Sequence, residues 1–281
     1  MSFEYFRKWC MNKVINMVVV IVFLIFILFI IFVAGVSSNF QGYTKSVSNS
    51  VLSNKKIEWG IQRGKDHEQP NLGSQNRRII EEFDGMDMGS NKNPYIYLTF
   101  DVGYEGGFTE KILDTLKENQ VPAAFFITGQ FIKTSPNILQ RMIDENHIVG
   151  NHTINHISLP SSSEEKITSE MMGMHKEVYE KFNYEMKYMR PPSGEYSEKS
   201  LAVVQKLGYT TVMWSFAYDD WDNAKQGREE YAKKKIMENL HNGEIMLLHA
   251  TSKDNAEILD DIIKKIKENG YEFRSLDNFE R

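Results

Sequence analysis

The hydrophobic positions of the chain form two kinds of pattern. Residues 17–34 are an unbroken run of eighteen apolar residues. From residue 94 to the end, short apolar runs alternate with longer stretches in which apolar residues recur every three or four positions. Short runs bounded by turn residues predict strands, and the longer period predicts amphipathic helices. The chain is therefore predicted to combine one long apolar helix with a domain of alternating strands and helices.

The second pattern predicts a parallel β/α domain over residues 94–281. Regular alternation of strands and helices favours a parallel sheet covered by helices. No glycine-rich phosphate loop follows the first strand, so we predict a distorted (β/α) barrel of about seven parallel strands rather than an open sheet. The strands are predicted at residues 95–100, 123–127, 148–150, 187–190, 210–214, 244–248 and 271–274. The helices are predicted at residues 109–119, 136–146, 163–182, 198–207, 228–240 and 255–269.

The N-terminal apolar run predicts a transmembrane helix. A membrane-spanning helix needs about 20 apolar residues, whereas the apolar part of a signal peptide usually has about 7–15. Basic residues precede the run, namely Arg7, Lys8 and Lys13, so the N-terminus is predicted in the cytoplasm and the remainder of the chain outside. Small residues at 34–38 leave open the alternative of a long cleaved signal. Both interpretations export the main domain.

The chain is thus predicted to have three parts. Residues 1–36 are a cytoplasmic stub and transmembrane anchor, with residues 14–36 in contact with the lipid bilayer. Residues 37–93 are a spacer followed by an extended N-terminal segment, since 37–56 are rich in Ser and Asn. Within this part, residues 57–73 are predicted to be structured and residues 74–93 to loop across the surface. Residues 94–281 are the main domain.

Charge and cysteine content narrow the possible partners and sites. The formal net charge is -5, the pI is about 5.9 and no basic block is present, so nucleic acid is not a predicted partner. Cys10 is the only cysteine, which excludes an intrachain disulfide and a cysteine-based zinc site.

Ionisable side chains follow five of the predicted strands. Any one of them has an ordinary structural explanation: an aspartate can cap a turn, and a histidine after an apolar run can be a hydrogen-bonded core residue. Two histidines four residues apart can also lie on one side of a helical turn and hold a metal. Because the carboxyl ends of parallel strands meet at one edge, the joint pattern predicts an active site there. These candidates are Asp101, the pair His152 and His156, Arg190, Asp220 with Trp221, and His249.

The segments around these candidates resemble a known enzyme family. Residues 99–103 (TFDVG), 152–156 (HTINH), 190–194 (RPPSG), 220–221 (DW) and 247–249 (LLH) are similar, in order, to the five motifs of the polysaccharide deacetylases, the NodB-homology group or carbohydrate esterase family 4. Residues 59–60 and 65–68, Gly103-Tyr104-Glu105, and residues 249–257 further resemble the delta-lactam-biosynthetic de-N-acetylases of sporulation. The resemblance covers about residues 57–281.

This resemblance implies a role for each candidate residue. Asp101 would be the general base, and Arg190 would orient it and favour its ionised form. His249 would be the general acid, with Asp220 fixing its tautomer. His152 and His156 would hold a divalent metal, for which zinc is one candidate. The backbone N–H of Ser193 would be the second donor to the oxyanion. Apart from the resemblance, Tyr104 and Trp221 could stack on a sugar ring as substrate-binding residues, with core or rim packing as an equal alternative.

One departure from the family pattern concerns the metal. The position of Val102 usually carries a second aspartate that completes a three-residue metal site, and valine has no donor atom. The lactam-forming subgroup also tends to lack this aspartate, so the departure favours the subgroup while it weakens the predicted metal site. The family's more distant acid that accompanies Asp220 falls on Ala217.

The predicted function is that of a membrane-anchored hydrolase of carbon–nitrogen bonds that removes acetyl groups from peptidoglycan sugars. The subgroup resemblance implies peptide-free N-acetylmuramic acid as the substrate, on the way to the muramic δ-lactam of spore cortex. The catalytic domain would lie at the cell surface or in the spore intermembrane space. Two alternatives stay open at this point: a general peptidoglycan N-acetylglucosamine deacetylase, and a wall-glycan-binding pseudoenzyme without activity.

Overall fold

The structure, a computed structural model, describes residues 52–281. The predicted transmembrane helix and the start of the predicted spacer lie outside the described residues. Within the described part, no helix has both the length and the apolar character needed to cross a bilayer. Residues 52–281 form one compact unit, so residues 52–93 pack together with the predicted main domain.

A seven-stranded sheet, parallel throughout, forms the centre of this unit. The strands of the described residues are β1 Ile57–Glu58, β2 Tyr95–Val102, β3 Ala123–Ile127, β4 Ile148–Asn151, β5 Tyr188–Met189, β6 Glu195–Tyr196, β7 Thr210–Thr211, β8 Glu244–His249 and β9 Glu272–Phe273. The strand order in the sheet is β7-β5-β4-β3-β2-β8, and β9 also pairs with β2. The remaining strands, β1 and β6, form a separate antiparallel pair.

The sheet is curled into a half-barrel. The chain that follows edge strand β7 reaches the opposite edge strand β8, where Phe216 and Met246 form a parallel bridge. The Leu247 N–H donates to the Phe216 carbonyl over 2.9 Å. The prediction of an α/β domain with about seven parallel, barrel-like strands is confirmed at this level.

Alternating side chains of β2 separate the two sides of the curled sheet. Ile96, Leu98, Phe100 and Val102 face the helices and belong to the main hydrophobic core. Tyr97 faces the inside of the curl, where it packs with Ala124, Phe126, Val212 and Ile245. The helices are α1 Ser74–Glu82, α2 Thr109–Asn119, α3 Gly129–Thr134, α4 Pro136–Asp144, α5 Glu164–Phe182, α6 Glu198–Lys206, α7 Glu229–Glu238 and α8 Lys253–Glu268.

Two helices and one strand pair were not expected from the sequence. Helix α1 forms within residues 74–93, so the prediction of a surface loop there was wrong for Ser74–Glu82. Buried Ile79 and Ile80 anchor this helix against a second hydrophobic cluster. Helix α3 begins directly after β3, and the antiparallel pair β1–β6 joins distant parts of the chain.

Residues 52–60, here called the N-terminal strap, lie against the chain that follows β5. The Ser53 carbonyl accepts from the Lys199 N–H over 3.1 Å, and the Trp59 N–H donates to the Gly194 carbonyl over 3.0 Å. The Trp59 indole N–H donates to the Trp214 carbonyl over 2.8 Å. The strap thus joins two segments that border the carboxyl edge of the sheet.

Candidate active site

Strand register brings the predicted base and acid together. Asp101 and His249 are direct Cα partners on the neighbouring strands β2 and β8. Adjacent parallel strands lie about 4.8 Å apart, so the two side chains are close by construction of the sheet. They line a cleft of about 570 Å³ at the carboxyl edge, together with the predicted residues His152, His156, Ser193, Tyr104 and Trp221. The convergence expected from the sequence is therefore observed.

Asp101 forms a buried ion pair with Arg190. The Arg190 Nη1 atom donates to Asp101 Oδ1 over 2.8 Å, and the guanidinium is fully buried. Its other hydrogen bonds go to the Thr99 hydroxyl at 2.9 Å and to the Val212 and Met213 carbonyls at 3.1 and 3.3 Å, so its orientation is fixed. Burial by itself would raise the pKa of Asp101, but the Arg190 charge and the neighbouring imidazoles hold that pKa below its usual value.

The two motif histidines lie side by side on a loop. The segment is not the helical turn that the i, i+4 spacing allows, and Thr153 and His156 have left-handed backbone angles, with φ of 63° and 51°. The ring centroids of His152 and His156 are nevertheless 4.8 Å apart. His152 Nδ1 lies 2.8 Å from the Arg190 carbonyl oxygen. A carbonyl only accepts hydrogen bonds, so Nδ1 carries the proton and Nε2 keeps its lone pair.

These imidazoles suit a metal ligand role. Burial lowers the pKa of His152 to about 4 and also lowers the pKa of His156, so both rings are neutral near pH 7. A ring nitrogen bonded to a backbone carbonyl is the usual outer contact of a metal-binding histidine. His152 Nε2 lies 3.6 Å from Asp101 Oδ2, so the lone pair of this nitrogen is close to the carboxylate that is predicted to be the general base.

Among residues 52–281, the cleft offers two protein ligands of this kind, His152 and His156. Val102 is fully buried in the helix-facing core, on the opposite side of β2 from Asp101. Within residues 52–281 no group of three His, Cys, Asp or Glu side chains is arranged to hold a metal. The residues present therefore fit a divalent ion held by His152 and His156, with its other positions left to water or substrate, and they do not identify the ion.

The predicted acid, His249, is held by a buried carboxylate. Asp220 Oδ1 accepts from His249 Nδ1 over 2.8 Å, and Asp220 Oδ2 accepts from the His249 backbone N–H over 2.7 Å. Asn255 Nδ2 donates to Asp220 Oδ2 over 2.6 Å and so fixes the carboxylate from behind. Burial opposes protonation of the ring, but the Asp220 charge raises the pKa of His249 above its usual value.

Ser193 lies on a tight turn at the rim of the cleft. Its φ of 56° is left-handed, as is the φ of 67° at Gly194. The turn is closed by the Gly194 N–H, which donates to the Pro191 carbonyl over 3.0 Å. Tyr104 and Trp221, which also line the cleft, have exposed fractions of 41% and 61%, so both rings lie at the surface of the cleft and not in the core.

Three contributors to the site were not assigned a role from the sequence. Thr99 supports Arg190, Asn255 supports Asp220, and Trp59 supports the Ser193 turn. Thr99 could have been found by strand alternation, since it lies two residues before Asp101 on the same face of β2. Asn255 and Trp59 act through contacts that only the folded chain reveals.

The chain was compared with known proteins. The family model described as polysaccharide deacetylase matches residues 88–212. The peptidoglycan-N-acetylmuramic acid deacetylase PdaA of Bacillus subtilis is 42% identical over 229 residues, which are 81% of this chain and 87% of PdaA. The peptidoglycan-N-acetylglucosamine deacetylase PgdA of Listeria monocytogenes is 32% identical over 185 residues, 66% of this chain and 38% of PgdA.

Two similar solved structures are also family 4 carbohydrate esterases. The structure of Bacillus subtilis PdaA, a family 4 carbohydrate esterase, matches with a TM-score of 0.79 and covers 81% of this chain and 98% of that one. A family 4 carbohydrate esterase from Bacillus anthracis is 40% identical and matches with a TM-score of 0.69, covering 82% and 98% of the two chains.

Proposed function

The chain belongs to the polysaccharide deacetylase family, carbohydrate esterase family 4, and from that membership we propose that it removes the acetyl group from N-acetylmuramic acid residues of peptidoglycan. Members of this family hydrolyse N-acetyl amide bonds, and this chain is such a hydrolase. The observation that carries the proposal is the acid–base pair at Asp101 and His249, each with its own buried charged partner.

Amide hydrolysis explains why both halves of this pair are needed. An N-acetyl amide is a poor electrophile with a poor leaving group, so its hydrolysis requires an activated water and a proton for the departing amine. Asp101, kept ionised by Arg190, takes the proton from water. His249, kept protonated to higher pH by Asp220, donates a proton to the amine nitrogen. The backbone N–H of Ser193 stabilises the oxyanion, and such a donor typically contributes about 3 kcal/mol.

A divalent metal would add to this chemistry without replacing it. When bound to His152 and His156, it would polarise the acetyl oxygen and the water. The lone pair of His152 Nε2, close to Asp101, supports this assignment. The base, the acid and the oxyanion donor belong to the chain itself.

We assign N-acetylmuramic acid as the substrate because PdaA matches a larger part of both chains than PgdA does. PdaA, which matches most of both chains, is named for N-acetylmuramic acid. We propose further that the muramic acid is free of peptide, so that its released amine can close on the lactyl carboxyl and form a δ-lactam. Muropeptide analysis of spores from a strain without the gene tests this: lost lactam supports it, whereas extra acetyl groups on glucosamine would favour an N-acetylglucosamine deacetylase.

Acetate release from peptide-free glycan tests the catalytic assignment. The wild-type enzyme should release acetate, and Asp101→Asn should lower kcat by about 10²- to 10⁴-fold because it removes the base while keeping an acceptor for Arg190. Asp114→Asn, at an exposed position outside the cleft, is the matched control and should retain activity. Equal rates for wild type and Asp101→Asn would overturn the assignment. Glycan binding without any acetate release would favour a wall-binding pseudoenzyme.

We propose, from the sequence of residues 14–36, that the enzyme is held at the outer face of a membrane. Membrane fractionation with and without detergent, followed by N-terminal sequencing, tests this. Recovery of the full-length chain in the membrane fraction supports an anchor. Recovery of a soluble chain that begins near residues 34–38 would instead indicate a cleaved signal.

A further inference from the structure

A second depression adjoins the catalytic cleft, and neither Asp101 nor His249 of the proposed acid–base pair lines it. This side groove has a volume of about 610 Å³ and is lined by, among others, Tyr104, Gln130, Lys133, Thr134, Asn155 and His156. Tyr104 and His156 also line the catalytic cleft, so the two spaces adjoin each other at these side chains. A sugar whose acetamide is at the catalytic centre can therefore extend a neighbouring substituent into the groove.

Lys133 gives the side groove its charge. It lies exposed on helix α3, and it is the only Lys or Arg among the described residues that line either the groove or the cleft. Within residues 52–281 no carboxylate lies within ion-pair distance of its ammonium group. By contrast, Lys225 and Arg228, near Trp221 in sequence, are already paired with Asp219 at 3.4 and 3.2 Å.

The charge distribution matches one feature of the proposed substrate. Muramic acid carries a lactyl ether on C3, next to the acetamide on C2. Without peptide the lactyl carboxyl is ionised at neutral pH, whereas with peptide it is a neutral amide. A carboxylate brought beside ionised Asp101 meets repulsion unless a cation is close. A lysine supplies such a charge on a long flexible stem that can follow the ligand.

We propose that Lys133 binds the lactyl carboxylate of peptide-free muramic acid in the side groove and so determines which peptidoglycan sugars the enzyme accepts. This inference rests on the proposed function and names the group that selects its substrate. Lys133 is a specificity determinant, and the acid–base machinery operates without it. It follows that glucosamine, which has no lactyl group, and peptide-linked muramic acid, which has no free carboxylate, should both bind less well.

The test compares two glycans with two forms of the enzyme. One glycan is peptide-free, and the other is the same material with its lactyl carboxyl converted to a neutral methylamide. For wild type, amidation should lower kcat/KM about tenfold, chiefly through KM, which is the scale of one hydrogen bond to a charged group. For Lys133→Met the preference for the carboxylate should disappear or reverse, because the lactyl carboxylate then meets the Asp101 charge without a cation, while the amide should react at the wild-type rate. Lys133→Arg should preserve most of the preference.

Controls separate this inference from the proposed function. Lys176→Met, at an exposed position on α5 outside both spaces, should behave as wild type. Titration of both glycans into Asp101→Asn and into the double variant Asp101→Asn/Lys133→Met measures the same preference without turnover. Absence of acetate release from wild type would overturn the proposed function alone. Equal preference for the carboxylate with and without Lys133 would overturn the inference alone.

Discussion

His249 illustrates how one side chain is prepared by its contacts. Asp220 accepts hydrogen bonds from both the ring and the backbone of His249, and Asn255 holds the same carboxylate. The raised pKa of His249 has two consequences. The ring stays protonated, and able to act as an acid, to a pH above about 6.5, the usual histidine value. The interaction also stabilises the fold below that pH, and this stabilisation is lost as the pH rises through the folded-state pKa.

A prediction at this scale concerns the pH profile. In Asp220→Asn the charge is removed and burial then lowers the pKa of His249, so the alkaline limb of kcat/KM should move to lower pH. Activity at pH 7 should fall by about 10²-fold or more. The amide of the new asparagine also has an NH2 group where the carboxylate had an acceptor oxygen. This NH2 group would point at a donor, either the His249 N–H or the Asn255 amide, and would disturb the orientation of the ring. Acetate release measured across pH tests this.

The control for this prediction is Asp260→Asn, since Asp260 binds Lys264 at an exposed site on α8. Its profile should match wild type. A profile of Asp220→Asn whose alkaline limb stays in place, with only a lower plateau, would show that Asp220 positions the ring without setting its pKa.

Individual site residues could be predicted where they lie at or just beyond the end of a strand, even a short one such as β5, which Arg190 follows. Asp101 is the penultimate residue of β2 and His249 is the last residue of β8, and the apolar pattern of both strands predicted their place at the carboxyl edge. Asn255 could not be assigned a role, because an asparagine in the first turn of a helix is ordinarily an exposed or capping residue. Its contact with Asp220 spans 35 positions of sequence and depends on how α8 packs beside β8.

At the scale of elements, the Ser193 turn depends on a glycine with little room around it. A Cβ added at Gly194 would lie 2.8 Å from the Trp214 ring and 3.0 Å from Trp59 Cβ. Both neighbours are tied to each other by the Trp59 hydrogen bond to the Trp214 carbonyl, so neither can move away freely. The strap therefore holds the turn in the shape that presents the Ser193 N–H.

Gly194→Ala should be more harmful than the same change at a comparable glycine. Gly208 also has a left-handed backbone, with φ of 87°, but a Cβ there meets nothing within 4 Å. Gly208→Ala should cost about 1–2 kcal/mol of unfolding free energy from its backbone angle alone. Gly194→Ala should add about 1–3 kcal/mol of overpacking and should lower kcat, because the oxyanion donor shifts. Urea denaturation and acetate release measure both effects, and similar results for the two variants would contradict the role given to the strap.

Strong periodic elements were predictable and short ones were not. Helix α2 and strand β3 have the predicted bounds, since each has a clear apolar pattern and defined turns. Helix α1 has only two buried residues, and its N-cap residue, Gly73, has no side chain to cap the helix, so its local signal is weak. Strands β1 and β6 have two residues each, and pairing between distant segments gives them their structure.

For the whole molecule, the two-ligand arrangement predicts how the enzyme responds to metal removal. Two imidazoles hold a divalent ion less firmly than three protein ligands, so a chelator should strip it readily. Acetate release should then fall at least about tenfold, as expected when a polarising ion is lost, and should recover when a divalent ion is returned. Metal content measured on the same samples links the two changes.

The histidine variants complete this experiment. His156→Ala should lower both metal content and activity, while His175→Ala, outside the cleft, should change neither. Full activity after exhaustive chelation, with no metal detected, would remove the ion from the reaction. The acid–base pair would then have to account for the rate unaided.

The pairing of β2 with β8 sets a condition on every active molecule. Asp101 and His249 face each other because the two strands are aligned residue for residue, and a slip of one position would turn one of the two away from the cleft. Only chains in which β2 and β8 are paired in this register can hydrolyse the substrate. After refolding from denaturant, the recovered activity therefore reports the fraction of molecules with the correct β2–β8 register. Circular dichroism reports the recovered secondary structure whatever its register, so the difference between the two recovered fractions gives the fraction of misaligned molecules.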